Sequence, residues 1–439
     1  MPQATIATAP ETRREPVAGN DAIWLQDSPS NLMVINAVFT TDRIEIDAVR
    51  RAFQTRVLEG EAGRRYFRLT QRVVWTNGRP YWEVDPRFDI ARQIIPAPDT
   101  DLSTTAKLQD YVGQAASHPL PDDRPRWQMQ HIREYGGDGS AFLVRVHHSM
   151  GDGVALVSVI FSLMEEARLA AEDSAEMSRQ MQGARGGAAA TALRIGLAAP
   201  VVLIRDLCWR ADRHPLHGPP LSGEKHVAWT EPFQLAHVKA VKNHLSSTVN
   251  DVLMTCVSGG LARYLQRLGG TVPDVIKVSM PVNIRRPSAP LTLDNKFAAV
   301  PLKLPVGVRP PMDRLRLVKR AMDALKRSVE PIVVYVIQKF LLILLPQMVS
   351  RVLIDFLANK CTCVVTNVPG PQHELMLEGR RVRSFLFWVP QRARIGIGIS
   401  VLSFSGRVQI GVIADARILP DPGLLIRDFE TEFRVLQAL

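Results

Sequence analysis

The segment at residues 142–153 constrains the chain most, because a strand, a tight loop and the start of a helix follow from its order. Apolar residues alternate with other residues over its first five positions, which is the period of a half-buried strand. His147 and His148 follow, and a glycine–aspartate–glycine run then ends the pattern. Apolar residues at helical spacing over residues 154–171 predict a helix. The histidines therefore come where a strand gives way to a loop, and strand geometry directs them to opposite faces.

A histidine in such a position is suited to general-base catalysis, because its pKa lies near neutral pH. No serine or cysteine stands in a nucleophile elbow nearby, and Ser149 is too close in sequence to His148 for the two to act as nucleophile and base. The residues thus favour direct attack by a second substrate over an acyl-enzyme. Two alternatives stay open, a hydrogen-bonded histidine cluster and a pair of metal ligands. Adjacent strand residues diverge and no third ligand is evident, so no metal site is expected.

The size and charge of the chain limit the classes of function. Two domains are expected for 439 residues, since one core of ordinary size does not cover this length. Lysine and arginine number 54 against 43 aspartate and glutamate, a net charge of +11 that suits a nucleotide phosphate or an acidic membrane surface. The basic residues are scattered without a recognisable nucleic-acid module, so nucleic-acid binding is not expected.

Targeting and membrane signals are weak. The first 16 residues are polar and lack the apolar core of a signal peptide. Apolar runs at residues 195–204 and 332–357 are short or interrupted, below the ~18–20 apolar residues of a membrane span. We interpret the second run as a buried helix pair, with lipid contact as the less favoured alternative. Four cysteines without a disulfide or zinc pattern fit a reducing cytosol, so we expect a cytoplasmic protein that can lie on the inner face of the membrane.

Changes in composition divide the chain. We predict a disordered N-terminus at residues 1–19, a first lobe at 20–180, a crossover linker at 181–225 and a second lobe at 226–439. The linker is rich in small residues, proline and glycine. Three histidines in or next to it are interpreted as solvated loop residues: His214, His217 and His226.

Two further predictions concern the ends of elements. Thr248, with Asp251 three residues later, predicts a capping box at the start of a helix, and Asn250 lies between them. Trp127 begins a strand that can pair with the histidine strand across a glycine-rich turn at residues 136–139. We interpret Trp127 as a core residue rather than a substrate contact.

Polar residues also follow two predicted strands of the second half. Asn283 and Arg285 come at the end of a strand over residues 275–282. Asn367 and Pro369 belong to an Asn-Val-Pro-Gly-Pro run after another strand. This run makes a stiff turn, because neither proline can donate a hydrogen bond.

The His-His-x-x-x-Asp-Gly run at residues 147–153 resembles the active-site signature of condensation-domain-like, CoA-dependent acyltransferases. The Asn-Val-Pro-Gly-Pro run at residues 367–371 is similar to a signature of one branch, the bacterial wax ester synthase/diacylglycerol acyltransferase (WS/DGAT) family. Weaker similarities follow in the same order from about residue 20 to the C-terminus. Two positions depart from the family: Arg126 stands where leucine is common, and Asp294 stands where glycine is.

The resemblance implies an α/β (α+β) fold of two chloramphenicol-acetyltransferase-like lobes, each a mixed sheet with flanking helices, and an active-site tunnel between them. His148 would be the general base, and His147 would support the local geometry. Asp152 would point away from the substrate and anchor the loop through an ion pair, with Arg285 as its partner because a lone buried carboxylate is costly. Gly153 would let the helix start close behind the loop.

Other candidate site residues follow from the same resemblance. The tetrahedral oxyanion needs a hydrogen-bond donor, and Asn283 is the candidate. Structural or substrate-side roles are predicted for a wider set: Asn250, Asp251, Asn283, Asn367, Pro369 and Trp127.

The resemblance also implies acyl-CoA as a substrate, no cofactor, and diacylglycerol or a long-chain alcohol as acceptor. Triacylglycerol and wax ester synthesis both fit, since acceptor preference depends on tunnel shape. A peripheral membrane or lipid-droplet surface is the expected partner. Two alternatives remain: a condensation-type acyltransferase that uses a carrier-protein thioester, and a non-catalytic lipid-surface binding protein of the same fold. The proline-containing signature disfavours the first, and the intact histidine motif disfavours the second.

Overall fold

The computed structural model of the protein describes residues 14–17, 19–166, 188–269, 271–285, 292–307 and 309–439. Its strands are, in chain order, β1 Glu15–Pro16, β2 Val34–Asp42, β3 Gln71–Thr76, β4 Arg79–Val84, β5 Ile94–Pro96, β6 Trp127–Tyr135, β7 Gly139–His147, β8 Lys225–Trp229, β9 Phe233–Gln234, β10 Val275–Asn283, β11 Phe297–Pro305, β12 Cys363–Pro369, β13 Met376–Leu377, β14 Arg380–Trp388, β15 Ile397–Phe404 and β16 Arg407–Asp415. Its helices are α1 Gly19–Ala22, α2 Ile46–Phe53, α3 Gly60–Arg65, α4 Ile90–Gln93, α5 Thr105–Ala116, α6 Gly153–Leu163, α7 Ala188–Cys208, α8 Leu235–His244, α9 Val249–Arg267, α10 Pro311–Arg327, α11 Glu330–Leu344, α12 Gln347–Ala358 and α13 Pro422–Gln437.

The first sheet has six strands in the spatial order β13-β14-β2-β7-β6-β5. Strand β7, which ends at His147, lies between β2 and β6 and is antiparallel to both. All of its residues are buried, as expected for a central strand covered on both faces. Helix α6 begins at Gly153 and adds its apolar residues to the same core. The histidine segment is therefore held between a central strand and a packed helix.

The second sheet has seven strands, with the order β11-β10-β12-β15-β16-β8 and β9 paired to β16. Strand β12 runs parallel to β10 and β15, while the pairs β10–β11 and β15–β16 are antiparallel. Helices α9 and α13 contact each other, and their apolar residues form the second core with this sheet. The predicted capping box of Thr248 and Asp251 begins α9. The expected α/β architecture with two mixed sheets is confirmed.

Strand β14 crosses between the two halves of the sequence. It comes late in the chain but pairs antiparallel with β2, from Phe385 opposite Phe39 to Trp388 opposite Asn36. Strand β13 pairs with β14 and extends the first sheet further. The first lobe is thus built from both halves, so no single point along the chain separates the two sheets.

Predictions for the connecting segments are wrong in part. The segment at residues 1–19, predicted as disordered, includes β1, which pairs with β4; residues 1–13 and 18 lie outside the described residues. The predicted linker at 181–225 contains the 21-residue helix α7, and residues 181–187 are again outside the description. The helix predicted over 154–171 ends at Leu163, with residues 167–171 not described.

All three histidines in or next to the linker have hydrogen-bond contacts, so the interpretation as solvated loop residues is wrong for the first two and holds only in part for His226. Nε2 of His217 contacts the backbone oxygen of Asn359 at 2.8 Å, and the residue is buried. Nε2 of His214 contacts the hydroxyl of Thr362 at 2.9 Å. His226 lies in β8 with 40% of its side chain exposed. The first two rings fasten the chain after α7 to the second lobe, which composition alone does not reveal.

Helices α11 and α12 expose apolar residues, so the predicted buried helix pair is wrong. The exposed fraction is 73% for Leu344, 81% for Met348 and 69% for Val352. Helix α7 contacts α11 and adds further exposed apolar residues. We call the exposed residues of the three helices the apolar helix surface: Leu197, Val201, Ile204, Phe340, Leu344, Met348, Val349, Val352 and Phe356. Among the helices that the structure describes, none combines the length and hydropathy needed to cross a bilayer.

Candidate active site

Both ring nitrogens of His147 are engaged in hydrogen bonds. The backbone N–H of Ser149 donates to Nδ1 at 3.2 Å, so the ring proton of the neutral form resides on Nε2. Nε2 lies 3.0 Å from Oδ2 of Asp27. Burial lowers the pKa of His147 although Asp27 opposes the shift. Neither ring nitrogen of His147 is therefore available to a substrate, which fits the supporting role predicted for this residue.

The segment that contains Asp27 also holds His148. Oδ1 of Asp27 accepts a hydrogen bond from the backbone N–H of Met33 at 2.6 Å. The carbonyl oxygen of Met33 in turn accepts one from the backbone N–H of His148 at 2.7 Å. No sequence pattern pointed to Asp27, because its partner His147 lies 120 positions along the chain.

The ring of His148 lines a cavity between the lobes. His148 opens a short 3₁₀ turn after β7, and Trp24 stacks on its ring with centroids 3.9 Å apart and planes 14° apart. Phe297 lies on the opposite lobe with its ring centroid 5.5 Å away. Burial lowers the pKa of His148 to about 4, against the opposing effect of Asp152. The imidazole is therefore neutral at pH 7, which leaves a ring nitrogen able to accept a proton.

Asp152 joins the histidine loop to the second lobe. One carboxylate oxygen, Oδ1, accepts from the backbone N–H of Ala155 at 3.1 Å and caps α6. The other, Oδ2, contacts the guanidinium of Arg285 and accepts from the backbone N–H of Lys296 at 2.9 Å. Both partners of the ion pair are buried. The partner predicted for Asp152 is thus in place, and the carboxylate is occupied by structural contacts.

A second network holds the turn of His148 through Asn295. The side-chain amide of Asn295 donates to the carbonyl oxygen of His148 and to Oδ1 of Asp21, both at 2.8 Å. Arg68 lies 2.8 Å from the other oxygen of Asp21. Burial raises the pKa of Asp21, and Arg68 and Asn295 oppose this. The sequence placed Asp21 and Asn295 only in segments similar to the family and assigned neither a role.

The cavity at His148 is large and mostly apolar, with a volume of about 250 Å³. Both lobes line it: Trp24 and Gly153 from the first, Phe297 and Asn283 from the second. Three helices also contribute to the lining, with Leu203 of α7, Leu341 of α11 and Ile354 of α12. A cavity of this composition suits a hydrocarbon chain better than a polar metabolite.

The remaining candidate residues fall into two groups. Asn283 and Asn367 line the cavity. The amide of Asn367 donates to Oδ1 of Asn250 at 2.7 Å, which joins β12 to the start of α9. Asp251 is fully buried and serves the capping box. Pro369 ends β12 beyond the cavity lining.

Trp127 is a core residue, as interpreted from the sequence. It is buried, its indole N–H donates to the carbonyl oxygen of Leu69 at 2.8 Å, and its ring stacks on Phe53 with centroids 5.0 Å apart. Gly153 differs from the expectation that it permits a close approach. A Cβ at Gly153 would meet no atom within 4 Å, so the missing side chain leaves open space.

The two departures from the family are accommodated by charge. Asp294 does not adopt the positive φ that would favour glycine; its carboxylate lies 2.8 Å from Arg285 and 2.6 Å from Lys296. Arg126 lies 4.0 Å from Asp27, the partner of His147. Neither side chain displaces a contact of His148.

The described residues contain no group of three histidine, cysteine or carboxylate side chains arranged to hold a metal ion. The imidazole of His148 is neutral, aromatic rings lie beside it, and the carboxylate of Asp152 is paired with the guanidinium of Arg285. Such a set can remove a proton from a hydroxyl and later return it to a leaving group.

Solved structures define the class of fold. A wax ester synthase/diacylglycerol acyltransferase from Marinobacter aquaeolei VT8 superposes with a TM-score of 0.69 at 18% identity, covering 97% of this chain and 99% of that chain. The first condensation domain of the calcium-dependent antibiotic synthetase gives a TM-score of 0.61 at 16% identity, covering 98% and 96%. The chain therefore has the two-lobed fold that these acyltransferases and condensation domains share.

The sequence comparisons place the chain within that class. Residues 18–253 match the wax ester synthase/diacylglycerol acyltransferase catalytic domain, and residues 293–437 match the WS/DGAT C-terminal domain. "Probable diacyglycerol O-acyltransferase tgs1" of Mycobacterium tuberculosis is 25% identical over 399 residues, with 82% of each chain covered. "Wax ester synthase/diacylglycerol acyltransferase 4" of Arabidopsis thaliana is 22% identical over 395 residues, with 78% and 74% covered. The chain belongs to the WS/DGAT family and is an acyltransferase, which confirms the resemblance found in the sequence.

Proposed function

We propose that the protein transfers the acyl group of an acyl-CoA thioester to the hydroxyl of diacylglycerol or of a long-chain alcohol, with His148 as the general base. The observation that carries the proposal is the position of the neutral His148 ring in the wall of an apolar cavity lined by both lobes. The names of the relatives, diacylglycerol O-acyltransferase and wax ester synthase, support the same substrate classes.

The proposed reaction runs in two proton transfers. The acceptor hydroxyl donates its proton to the imidazole of His148 as its oxygen attacks the thioester carbonyl carbon. The tetrahedral intermediate then expels the CoA sulfur, which takes the proton back from the imidazolium. An oxygen–carbon bond forms, a carbon–sulfur bond breaks, and an ester and free CoA result. No residue of the protein is acylated, and acyl-CoA is a substrate rather than a cofactor.

Other residues are proposed to position this base. Asp152 and Arg285 fix the loop after it, and Asn295 holds its carbonyl oxygen. Asn283 lines the cavity and accepts from the backbone N–H of Arg285 through its Oδ1 at 3.0 Å, which orients the side-chain amide. We retain Asn283 as the proposed donor to the oxyanion.

The proposal is tested by assaying palmitoyl-CoA against hexadecanol and against a diacylglycerol. His148→Ala is expected to lower kcat by at least about 100-fold, since general-base catalysis contributes about 10²–10⁴-fold. His226→Ala, at a partly exposed strand position, is the matched control and retains activity. Ester formation by His148→Ala at the wild-type rate would contradict the role of His148 as general base.

The same assay separates the competing functions. Palmitate carried on the phosphopantetheine of a carrier protein is offered in parallel with palmitoyl-CoA. Turnover of the carrier-bound substrate alone would identify a condensation-type enzyme instead. A folded wild-type protein without turnover on either thioester would identify a non-catalytic relative.

The apolar helix surface supports a lipid surface as the partner of the protein. The helices α7, α11 and α12 expose apolar side chains outward, while Leu203, Leu341 and Ile354 of the same helices line the cavity. The exposed cation Lys339 lies on α11 and matches the charge of anionic lipid headgroups, whereas Arg351 of α12 lies 3.7 Å from Asp355. We propose that this surface rests on a bilayer or lipid droplet, so that an apolar acceptor reaches the cavity without crossing water.

Flotation with vesicles that contain anionic phospholipid tests this second proposal. Met348→Glu and Val352→Glu together are expected to reduce the bound fraction several-fold, because two charges replace exposed apolar side chains that would enter the lipid. Leu268→Glu, on a residue that is 46% exposed after α9, is the control and leaves binding unchanged. Equal loss in both variants, or none in either, would contradict the assignment of this surface.

A further inference from the structure

A second, smaller cavity lies inside the first lobe, between α6 and the sheet. Its volume is about 40 Å³. We call it the apolar slot, and its lining includes these side chains: Ile35, Ala37, Val144, Val146, Leu156 and Ile160. They come from β2, β7 and α6, and no charged residue is among those that line the slot. An apolar cavity of this kind stays dry and accepts an apolar guest.

The apolar slot adjoins the cavity at His148. Gly153 and Phe387 line both spaces. A Cβ at Gly153 would meet no protein atom within 4 Å, so the glycine leaves the space between the two cavities open. Gly153 and His148 line the same cavity, which places this opening beside the proposed base.

The packing around the apolar slot argues for an occupant. Protein cores are close-packed, and an unfilled void loses dispersion contacts with its lining. The strand and helix that form the slot are otherwise tightly buried, with Phe142, Leu143 and Leu163 fully inaccessible. Most side chains that line the slot are buried as well, such as Met129 at 0% and Leu156 at 8% exposure. The void is thus a local feature of the face that adjoins the site.

We propose that the apolar slot receives the methyl end of a substrate alkyl chain that passes His148 and bends inward at Gly153. This inference rests on the proposed function and specifies where one hydrocarbon chain ends. The chain belongs either to the acyl group of the thioester or to the acceptor, since both present the same chemistry. A slot of about 40 Å³ holds roughly three water-sized spheres, so it accommodates only the last few carbons.

Ala37 offers a way to fill the slot. It lies on β2 opposite Val144 of β7 and Phe387 of β14, and all three residues line the slot. Ala37→Leu adds three carbons to the lining. Val38→Ile is the matched control, because Val38 is buried on the same strand, points to the other face of the sheet and does not line the slot. Equal melting temperatures of the two variants establish that both are folded.

Binding of acyl-CoAs and of primary alcohols with 8 to 18 carbons, each titrated alone, tests the proposal without turnover. Each methylene that enters the slot is expected to strengthen binding about fourfold, up to the length that fills it. Ala37→Leu is expected to weaken binding of the long chains roughly tenfold and leave the short ones unchanged, whereas Val38→Ile follows the wild type.

The two titrations distinguish the source of the chain. A loss confined to acyl-CoAs assigns the slot to the donor, and a loss confined to alcohols assigns it to the acceptor. Unchanged profiles in both series, with Ala37→Leu folded, overturn the proposal. If Ala37→Leu does not fold, Ile160→Val is used instead; it widens the slot and is expected to shift the favoured chain length upward. An unchanged chain-length profile of this variant also overturns the proposal. Wild-type turnover is measured separately, so a failure of the proposed function leaves the binding result interpretable.

Discussion

The guanidinium of Arg285 contacts the carboxylate of Asp152, and this buried ion pair ties the second lobe to the loop that follows His148. Arg285 also lies 2.8 Å from Asp294, so one cation serves two carboxylates. The pair fixes the loop that follows the histidine, and Asp152 itself also lines the cavity at His148.

Asp152→Ala is expected to lose stability as well as activity. Breaking a buried ion pair on one side costs about 3–5 kcal/mol, and the contact of Arg285 with Asp294 places the loss at the lower end. The cap of α6 is lost in the same variant. Urea unfolding measures the effect, with Asp313→Ala as a control in an exposed pair worth at most about 1 kcal/mol. Wild-type stability without activity would instead indicate a direct chemical role for Asp152.

Stability is expected to depend on pH through His148. Its pKa is lowered from 6.5 to about 4 by burial, so the unfolded chain binds more protons between these values. The contribution of this group to the free energy of unfolding is therefore fully present above about pH 6.5. It falls by roughly 3 kcal/mol as the pH decreases toward 4. Unfolding measured at pH 7 and pH 4.5 is expected to show a smaller decrease for His148→Gln than for the wild type. Identical decreases would contradict the low pKa.

The pH dependence of activity below pH 7 follows from the same lowered pKa of His148. Because the base is already neutral, kcat/KM is expected to stay constant from pH 7 down to well below pH 6. The profile is recorded with palmitoyl-CoA and hexadecanol, and the protein is checked for unfolding at each pH. A decrease of kcat/KM below pH 6.5 would show that the imidazole of His148 is solvated in the free enzyme.

Asn295→Ala is expected to lower kcat roughly tenfold or more with little change in KM. The variant removes the hydrogen bond to the carbonyl oxygen of His148, so the base is held less firmly, and small displacements of a catalytic group have large effects. A stability loss of about 1–3 kcal/mol accompanies it, because Asp21 loses a buried donor. Asn243→Ala, on the exposed face of α8, is the control. A tenfold rise in KM with unchanged kcat would instead indicate that Asn295 acts in substrate binding and not in positioning His148.

Asp294→Gly restores the residue common in the family and is expected to reduce stability modestly. Its ion pairs are partly exposed, so their loss and the added backbone freedom together cost about 1–2 kcal/mol. Activity is expected to stay within about threefold, since Asp152 keeps its contact with Arg285. Asp294→Asn separates the charge from the backbone effect. A tenfold loss of kcat/KM in both variants would assign Asp294 a positioning role.

The sequence was informative wherever the determining contacts are local. The histidine segment, the capping box of Thr248 and Asp251, and the core position of Trp127 each follow from residues close together in the chain. The Asp152–Arg285 pair is a long-range contact, and it was predictable only because a buried carboxylate needs a cation and the family resemblance limited the choice.

Contacts between distant segments were not predictable. Asp27 bonds to His147 across 120 positions, and Asn295 bonds to His148 across 147. Asparagine and aspartate are also common in turns, so neither stood out. The exposure of α11 and α12 was misjudged because an apolar run gives the length of a helix but not whether its face meets a core or a lipid surface.

The pairing of β14 with β2 determines when the first lobe can be completed during synthesis. Until residue 388 has left the ribosome, β2 carries an unpaired edge next to the strand that bears the histidines. The nascent N-terminal half therefore cannot complete its sheet alone, and it keeps an exposed strand edge, which is prone to pairing with other chains, until the late strand arrives.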